Sequence, residues 1–371
     1  MKLISYYILL FLIEIPAIAF TQTKTGEKLQ IINADTTRHS KTVQGTLIEL
    51  IGNVHLRQGQ AEMFCGLAEY WKDAHKTVVH DNVRIYDKDK VLYADRVIYF
   101  DIPQIFKAIG KVVLKDSIRQ ITAKQISYFK LEDRIEADHN VVLKDSLNII
   151  DIFGEHAEFD NNKDYALITG NPVLIKEDST RKEELRITSV KMELFENGDK
   201  AVVTDSVRIT QSKAVATCGQ AEFYRKTNEI FLKQNPVAWQ EGDRLSGQII
   251  HLFIKDNQLV KAIVENQALV TSCVDTTDKN QQLNTLSGEQ ITMYFENEEL
   301  YHVDVENKAT SFYYIYEDNE DKGLNKIIGD KISVYLKDRK IDRIIVESNP
   351  QLSSGTYYPP GKEPDEKELR D

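Results

Sequence analysis

Along most of the chain apolar and polar residues alternate at period two, with Val, Ile, Thr and Tyr prominent, which is the strand pattern and not the 3.6-residue helical one. Polar clusters punctuate it, among them Lys72-Asp73, Glu132-Asp133, Asn161-Asn162-Lys163-Asp164, Asn197-Gly198-Asp199, Lys255-Asp256-Asn257 and Lys337-Asp338. Such residues tolerate turn dihedrals and hydrogen-bond locally, so each cluster predicts a hairpin turn.

A second punctuation is a small or polar corner followed by β-branched residues. It stands at Gly52-Asn53-Val54, Asp81-Asn82-Val83, Gly110-Lys111-Val112, His139-Asn140-Val141, Gly170-Asn171-Pro172, Asp205-Ser206-Val207 and Gln234-Asn235-Pro236. Looser copies follow at Glu265-Asn266, Glu306-Asn307 and Ser348-Asn349-Pro350. The first spacings are 29, 29 and 29, and later ones widen. Between corners runs a third signal: a small residue, an apolar residue three positions on, and an aromatic or aliphatic residue two further. Examples are Ala94, Val97 and Tyr99; Ala123, Ile126 and Tyr128; Gly154, Ala157 and Phe159; Gly288, Ile291 and Met293; and Gly329, Ile332 and Val334.

Each repeat is therefore strand, turn, strand. One such unit cannot bury its own apolar face, so successive units must stack. The predicted fold is all-β, an elongated twisted β-jellyroll or β-solenoid of about ten repeats of about 29 residues. Polar insertions at Glu177 to Glu184, Val274 to Thr285 and Glu317 to Lys326 read as surface loops, the first placing a soft boundary near residue 176. The expected organisation is a leader over 1–19, jellyroll repeats over 20–176, a second section continuous with the first over 177–355, and a charged, Pro-containing disordered tail over 356–371.

Alternate positions point one way: Val54 and Leu56, Val83 and Ile85, Val112 and Leu114, Val141 and Leu143, Val207 and Ile209. Val97 with Tyr99, Ile126 with Tyr128, and Phe159 recur at matching positions of the third signal. On periodicity alone two readings stand, a filled core or a continuous apolar trough able to accept acyl chains.

Met1-Lys2, the apolar stretch Leu3 to Ile13 and the small-x-small Ala17-Ile18-Ala19 read as an export signal cleaved after Ala19. Glu14 leaves the alternative of an uncleaved anchor of about 18 residues in the inner membrane. Hydrophobic residues make up 42% and charged residues 28%, which supports folding, and a net charge of −11 without a basic run argues against nucleic-acid binding. Cys65, Cys218 and Cys273 make neither a disulfide framework nor a C-x-x-C site, and buried free thiols are expected at Cys65 and Cys218. No histidine pair has metal-ligand spacing, no nucleotide-binding Gly-rich loop or Gly-x-Ser-x-Gly is present, and Asp87-Lys88-Asp89 and Glu298-Glu299 fall in turns. Neither a cofactor nor an enzymatic role is expected.

Leu50 to Gly59, Leu167 to Leu174, and Gly329 to Tyr335 with its Lys337-Asp338 turn resemble the OstA/LptA family, and the resemblance runs over roughly residues 28 to 350. It implies twisted, V-shaped jellyrolls that bind the lipid A part of lipopolysaccharide and join end to end into a periplasmic bridge. Partners implied are lipopolysaccharide, other jellyroll components of the bridge joined by edge-strand addition, and further copies of the chain head to tail. The chain is about twice as long as a single-jellyroll member and ends without the strand-rich barrel of larger relatives. The competing readings are a β-solenoid polysaccharide lyase or glycan-binding envelope protein, which needs carboxylates clustered on one face of adjacent rungs, and a purely structural array with a filled interior.

Overall fold

The computed structural model describes residues 29–362 except 181, 241, 257, 275–281, 298, 318–319, 338–339 and 350–352. The expected leader and residues 363–371 of the expected tail lie outside the described residues. The protein divides into two compact units meeting at Ala201 and Val202. The soft boundary expected near residue 176 falls instead within a hairpin of the first unit.

The first unit contains β1 (Gln30–Asn33), β2 (Thr36–Thr42), β3 (Gly45–Gln58), β4 (Ala61–Trp71), β5 (Lys76–Asp87), β6 (Lys90–Phe100) and β7 (Ile105–Lys115). It continues with β8 (Arg119–Phe129), β9 (Arg134–Asp145), β10 (Ile150–Asp160), β11 (Tyr165–Thr169), β12 (Val173–Glu177), β13 (Glu183–Thr188) and β14 (Lys191–Phe195). From β3 to β10 every strand pairs antiparallel with the next. Each of these pairings breaks register near mid-strand, as between Ile51 and Val54, His80 and Val83, or Ile109 and Val112.

Those breaks fall at the corners read from the sequence. All seven well-formed corner pairs have two consecutive residues at positive φ, for example Asp81 at 66° and Asn82 at 57°, or His139 at 64° and Asn140 at 55°. Asn, Asp and Gly enter this left-handed region at least cost, which explains the composition of the corner. Two such residues in succession bend the strand, so the sheet folds along the line of corners into two half-sheets. Carboxylates from the neighbouring strand or the preceding turn brace the bends: Asp35 accepts from Asn53 Nδ2 at 2.9 Å, and Glu155 from the Asn140 amide at 3.3 Å. A Cβ on Gly110 would stand 2.3 Å from Asp95 Oδ2, so that carboxylate occupies the corresponding bend.

The second unit contains β15 (Lys200–Gln211), which begins at the division, β16 (Ala214–Tyr224), β17 (Glu229–Lys233), β18 (Val237–Gln240), β19 (Asp243–Ser246) and β20 (Ile249–Lys255). Longer strands follow: β21 (Gln258–Cys273), β22 (Leu283–Glu296), β23 (Glu299–Glu317) and β24 (Glu320–Lys337), then β25 (Lys340–Glu347) and β26 (Ser354–Tyr358). In β21 and β23 the corners shift by one residue from the sequence reading, to Asn266-Gln267 and Asn307-Lys308. Asn still supplies one of the two left-handed residues, so the bend survives the slip. The stretch Glu317 to Lys326, expected as a surface loop, is instead largely strand: β24 starts at Glu320, and Leu324 is buried against Phe312 and Tyr314. Its polar residues alternate with this one apolar side chain, a pattern too sparse to read as a strand. The Val274 to Thr285 insertion has its middle, 275–281, outside the described residues, and Thr356 to Tyr358 of the expected tail close β26.

Candidate functional site

The corner valines set the innermost row. Val54, Val83, Val112 and Val141 are each 1% exposed. Across the ladder they stand beside Cys65, Ala94, Ala123 and Gly154, since Val54 pairs with Cys65, Val83 with Ala94, Val112 with Ala123 and Val141 with Gly154. A bulky residue alternates with a small one because the fold of the sheet leaves little room at its vertex. A Cβ on Gly154 would approach Ile168 Cγ2 to 2.7 Å, and one on Gly288 would approach Val305 Cγ1 to 2.6 Å. The third sequence signal follows from this geometry: the small residue ends one half-sheet at the vertex, and the residues three and five further on are the first two inward positions of the other.

Two rows line each half-sheet. In the half rich in rings, one row runs through Val79, Val97, Ala108, Ile126, Ala137, Ala157 and Ile168, all buried, each paired with the next. The other runs through Tyr70, Thr77, Tyr99, Phe106, Tyr128, Ile135 and Phe159. Tyr99 stacks on Phe106 at 4.2 Å between centroids, and Phe106 on Tyr128 at 6.4 Å. In the aliphatic half the second row is Leu56, Met63, Ile85, Leu92, Leu114, Ile121, Leu143 and Ile152. Inward side chains nearest the vertex are buried in both halves, while Tyr70, Thr77, Tyr99 and Phe106 in one half and Met63 and Ile85 in the other are half-buried, so the halves cover one another most fully near the bend.

Of the residues singled out from sequence, Val54, Leu56, Val83, Val97, Val112, Leu114, Ile126, Tyr128, Val141, Leu143, Phe159 and Val207 are buried, while Ile85, Tyr99 and Ile209 are half-buried. Val207 and Ile209 lie in the second unit, the rest in the first. The second unit repeats the arrangement with the row Ala221, Leu232, Ile250, Val264, Ile291, Val305 and Ile332. It also contains an apolar cavity of about 40 Å³. Met293, Val303, Val334 and Ile344 approach it from one half-sheet, and Val270, Leu286 and Phe312 from the other, with Ser272, Thr285 and Ser311 beside them. Sequence reasoning quoted Met293 and Val334 as repeat positions but did not single them out as lining, since nothing in the repeat marks where the packing is loosest.

Polar groups at the interior's border are held by the fold. The Tyr128 hydroxyl donates to Asp133 Oδ1 at 3.1 Å, and burial together with that carboxylate pushes the phenol far above its ordinary value. Asp145 Oδ1 accepts the amides of Leu147 and Asn148 at 2.9 Å each, and Asp116 Oδ1 those of Ile118 and Arg119 at 2.8 and 2.7 Å. Asp160 accepts from Lys163 Nζ at 2.6 Å, and that ammonium holds its carboxyl below the usual range. These carboxylates cap hairpins. His80, His156 and His251 each face an acid across the ladder, Glu69 at 3.3 Å, Asp138 at 2.7 Å and Glu229 at 3.1 Å. Among the described residues no group of three or more His, Cys, Asp or Glu is placed to hold a metal ion. No helix among them is long and apolar enough to cross a membrane.

Two sequence families match the chain: OstA-like protein over residues 26–135, and lipopolysaccharide-assembly, LptC-related, over residues 116–237. Among solved structures, a similar one is that of LptH, the LptA homologous periplasmic component of the conserved lipopolysaccharide transport device from Pseudomonas aeruginosa. It shares 14% identity over 37% of this chain and 92% of that one, with a TM-score of 0.27. No curated protein matches the chain.

Proposed function

Since the chain belongs, over residues 26–237, to the OstA/Lpt family of lipopolysaccharide-transport and assembly proteins, we propose that its folded sheet carries the acyl chains of lipopolysaccharide through the periplasm. The observation that carries this reading is the pair of facing half-sheets whose inward rows stay apolar from strand to strand without a charged break in the first unit from Val79 to Ile168.

Transfer along such rows needs no covalent chemistry. An acyl chain gains about 0.8 kcal/mol for each methylene withdrawn from water. Rungs lined by nearly the same Val, Leu, Ile and Ala positions offer nearly the same gain, so a chain can pass from one to the next without a deep trap. Net direction then comes from an energy source elsewhere. The 40 Å³ cavity of the second unit has room for a few methylene-sized groups and not for a whole acyl chain, so loading at that place would have the half-sheets part at their open margin while the vertex, where Ala268 meets Gly288 and Ala309 meets Gly329, stays shut. Partner jellyrolls would join at the end strands, by addition to the free edges of β1 and β2 or of β25 and β26.

A photo-crosslinking residue at Val141 or Ile126, both buried inward, is expected to label lipopolysaccharide, while one at exposed Lys124 is not. Labelling from Lys124 alone would contradict an interior carrier. A lyase would need carboxylates clustered on one face of adjacent rungs; Glu136 and Glu158 do stand opposite one another across β9 and β10, but Arg134 lies against both, its Nη1 4.0 Å from Glu158 Oε1.

A further inference from the structure

Four consecutive hairpins of the first unit, β2–β3, β4–β5, β6–β7 and β8–β9, turn at the outer margin of the ring-rich half-sheet. Each exposes an aliphatic side chain at its tip: Val43 at 105%, Ala74, Ile102 at 77% and Leu131 at 70%. Successive hairpins stand two strands apart, so the tips form a line with a repeat of roughly 10 Å. Immediately behind them the last outward-facing row carries Trp71, Phe100, Ile105 and Phe129. Cations close it: Lys76 Nζ lies 5.7 Å from the Phe100 ring centroid, and the Arg134 guanidinium 4.2 Å from that of Phe129. The matching outward row at the opposite margin is more polar, running through Arg57, Glu62, Tyr86, Val91, Lys115, Gln120, Lys144 and Asp151.

We propose that the hairpin-tip margin of the first unit docks on a lipid bilayer, the aliphatic tips entering the acyl boundary and the aromatic row resting at headgroup level. Depth order is the first argument: aliphatic residues outermost, rings behind them, and Lys and Arg beside the rings reproduce the sequence of environments across a membrane interface. Area is the second. Four small side chains separated by polar turn residues fall far short of the roughly 800 Å² per partner that a stable protein dimer buries, yet single side chains can each slip between lipids. Charge is the third. Lys41, Lys72 and Lys130 precede three of the tips by one or two residues, and Lys76 and Arg134 stand behind them; Asp73, Asp101, Glu132 and Asp133 lie among these cations, Glu132 paired with Arg134 at 2.9 Å and Asp101 3.8 Å from His75. On a chain of net charge −11 this margin is thus close to charge balance, and it meets an anionic surface with less repulsion than the chain as a whole. The docking does not depend on what the interior carries.

The test uses the full chain with Trp239 replaced, W239F, so that Trp71 is the remaining tryptophan, and vesicles of phosphatidylethanolamine and phosphatidylglycerol containing a brominated phosphatidylcholine as quencher. Quenching of Trp71 is expected, with vesicle binding weakened about 100-fold by Ile102→Asp with Leu131→Asp, each inserted aliphatic side chain contributing about tenfold. Leu147→Asp, at an exposed tip of the opposite margin, should leave quenching intact. Unquenched Trp71 in vesicle-bound protein would overturn the proposal, because an apolar N-terminus alone would then account for binding. Equal quenching in the Ile102→Asp/Leu131→Asp variant would overturn it too, as would self-association in solution abolished by those substitutions without any effect on vesicles. Unchanged circular dichroism in the variants ties the readout to the exposed tips.

Discussion

Cys65 sits inward beside Val54, and Cys218 is likewise buried. Burial pushes each thiol up to about 11. At pH 8 only about one thiol in a thousand is then thiolate, so alkylation of the folded protein should begin at half-buried Cys273 and leave the other two unmodified, as peptide mass mapping would reveal. Because the folded state favours the protonated thiol, the unfolded chain releases its protons first. Stability is therefore full below the ordinary thiol value of 9.0 and declines as pH rises from there towards 11. At this scale the sequence was legible for the inward valines and opaque for the carboxylates. Asp95, Glu155, Glu289 and Asp330 each directly follow the small residue of the repeat, a regularity visible in the sequence, yet its purpose depends on which strand's bend lies alongside. Only the register supplies that, for instance in the Asn349 amide bonded to Asp330 at 3.1 Å.

In a single strand the two left-handed residues decide the outcome. Asn140, at φ 55°, accepts a conformation that a β-branched side chain resists. Asn140→Val should lower the urea unfolding free energy by about 1–3 kcal/mol, whereas Asn140→Gly should change it little; equal losses in both would mean that the bend draws nothing from this residue's backbone preference. Corner positions were readable because their chemistry is local: seven were located to the residue, from Gly52-Asn53 to Gln234-Asn235. The slip at Asn266-Gln267 and Asn307-Lys308 arose where Glu precedes Asn, so the pair of polar residues begins ambiguously and the pairing with the next strand settles the register. Strand extent was harder. Leu324 is buried because Tyr358, Phe312 and Tyr314 surround it, contacts set by residues far along the chain.

Over the molecule as a whole, each unit consists of hairpins whose centre is covered on both sides and whose ends are not. Along the row of the second unit, burial persists to Ile332 and then fails at Val346, which is 38% exposed on β25. Amide hydrogen exchange should follow this gradient, slowest in β7 to β9 and β22 to β23 and fastest in β1, β2, β25 and β26; uniform protection would argue for one all-or-none unit in place of graded opening. The fold class and the repeat length came through in sequence because every rung restates them. Where the interior gapes did not, since the cavity near Met293 and Phe312 arises from how two rows happen to meet.

From β3 to β10 each pair of strands brings its own bend, its own inward Val with a small neighbour, and its own tip. Deleting about 29 residues in frame, from one corner to the next, should therefore leave a shorter folded sheet of unchanged cross-section, since the flanking strands meet partners of nearly identical lining. Reach is thus a heritable quantity that can be lengthened or trimmed in steps of roughly 10 Å by copying or losing one segment of gene, with no new interior to invent.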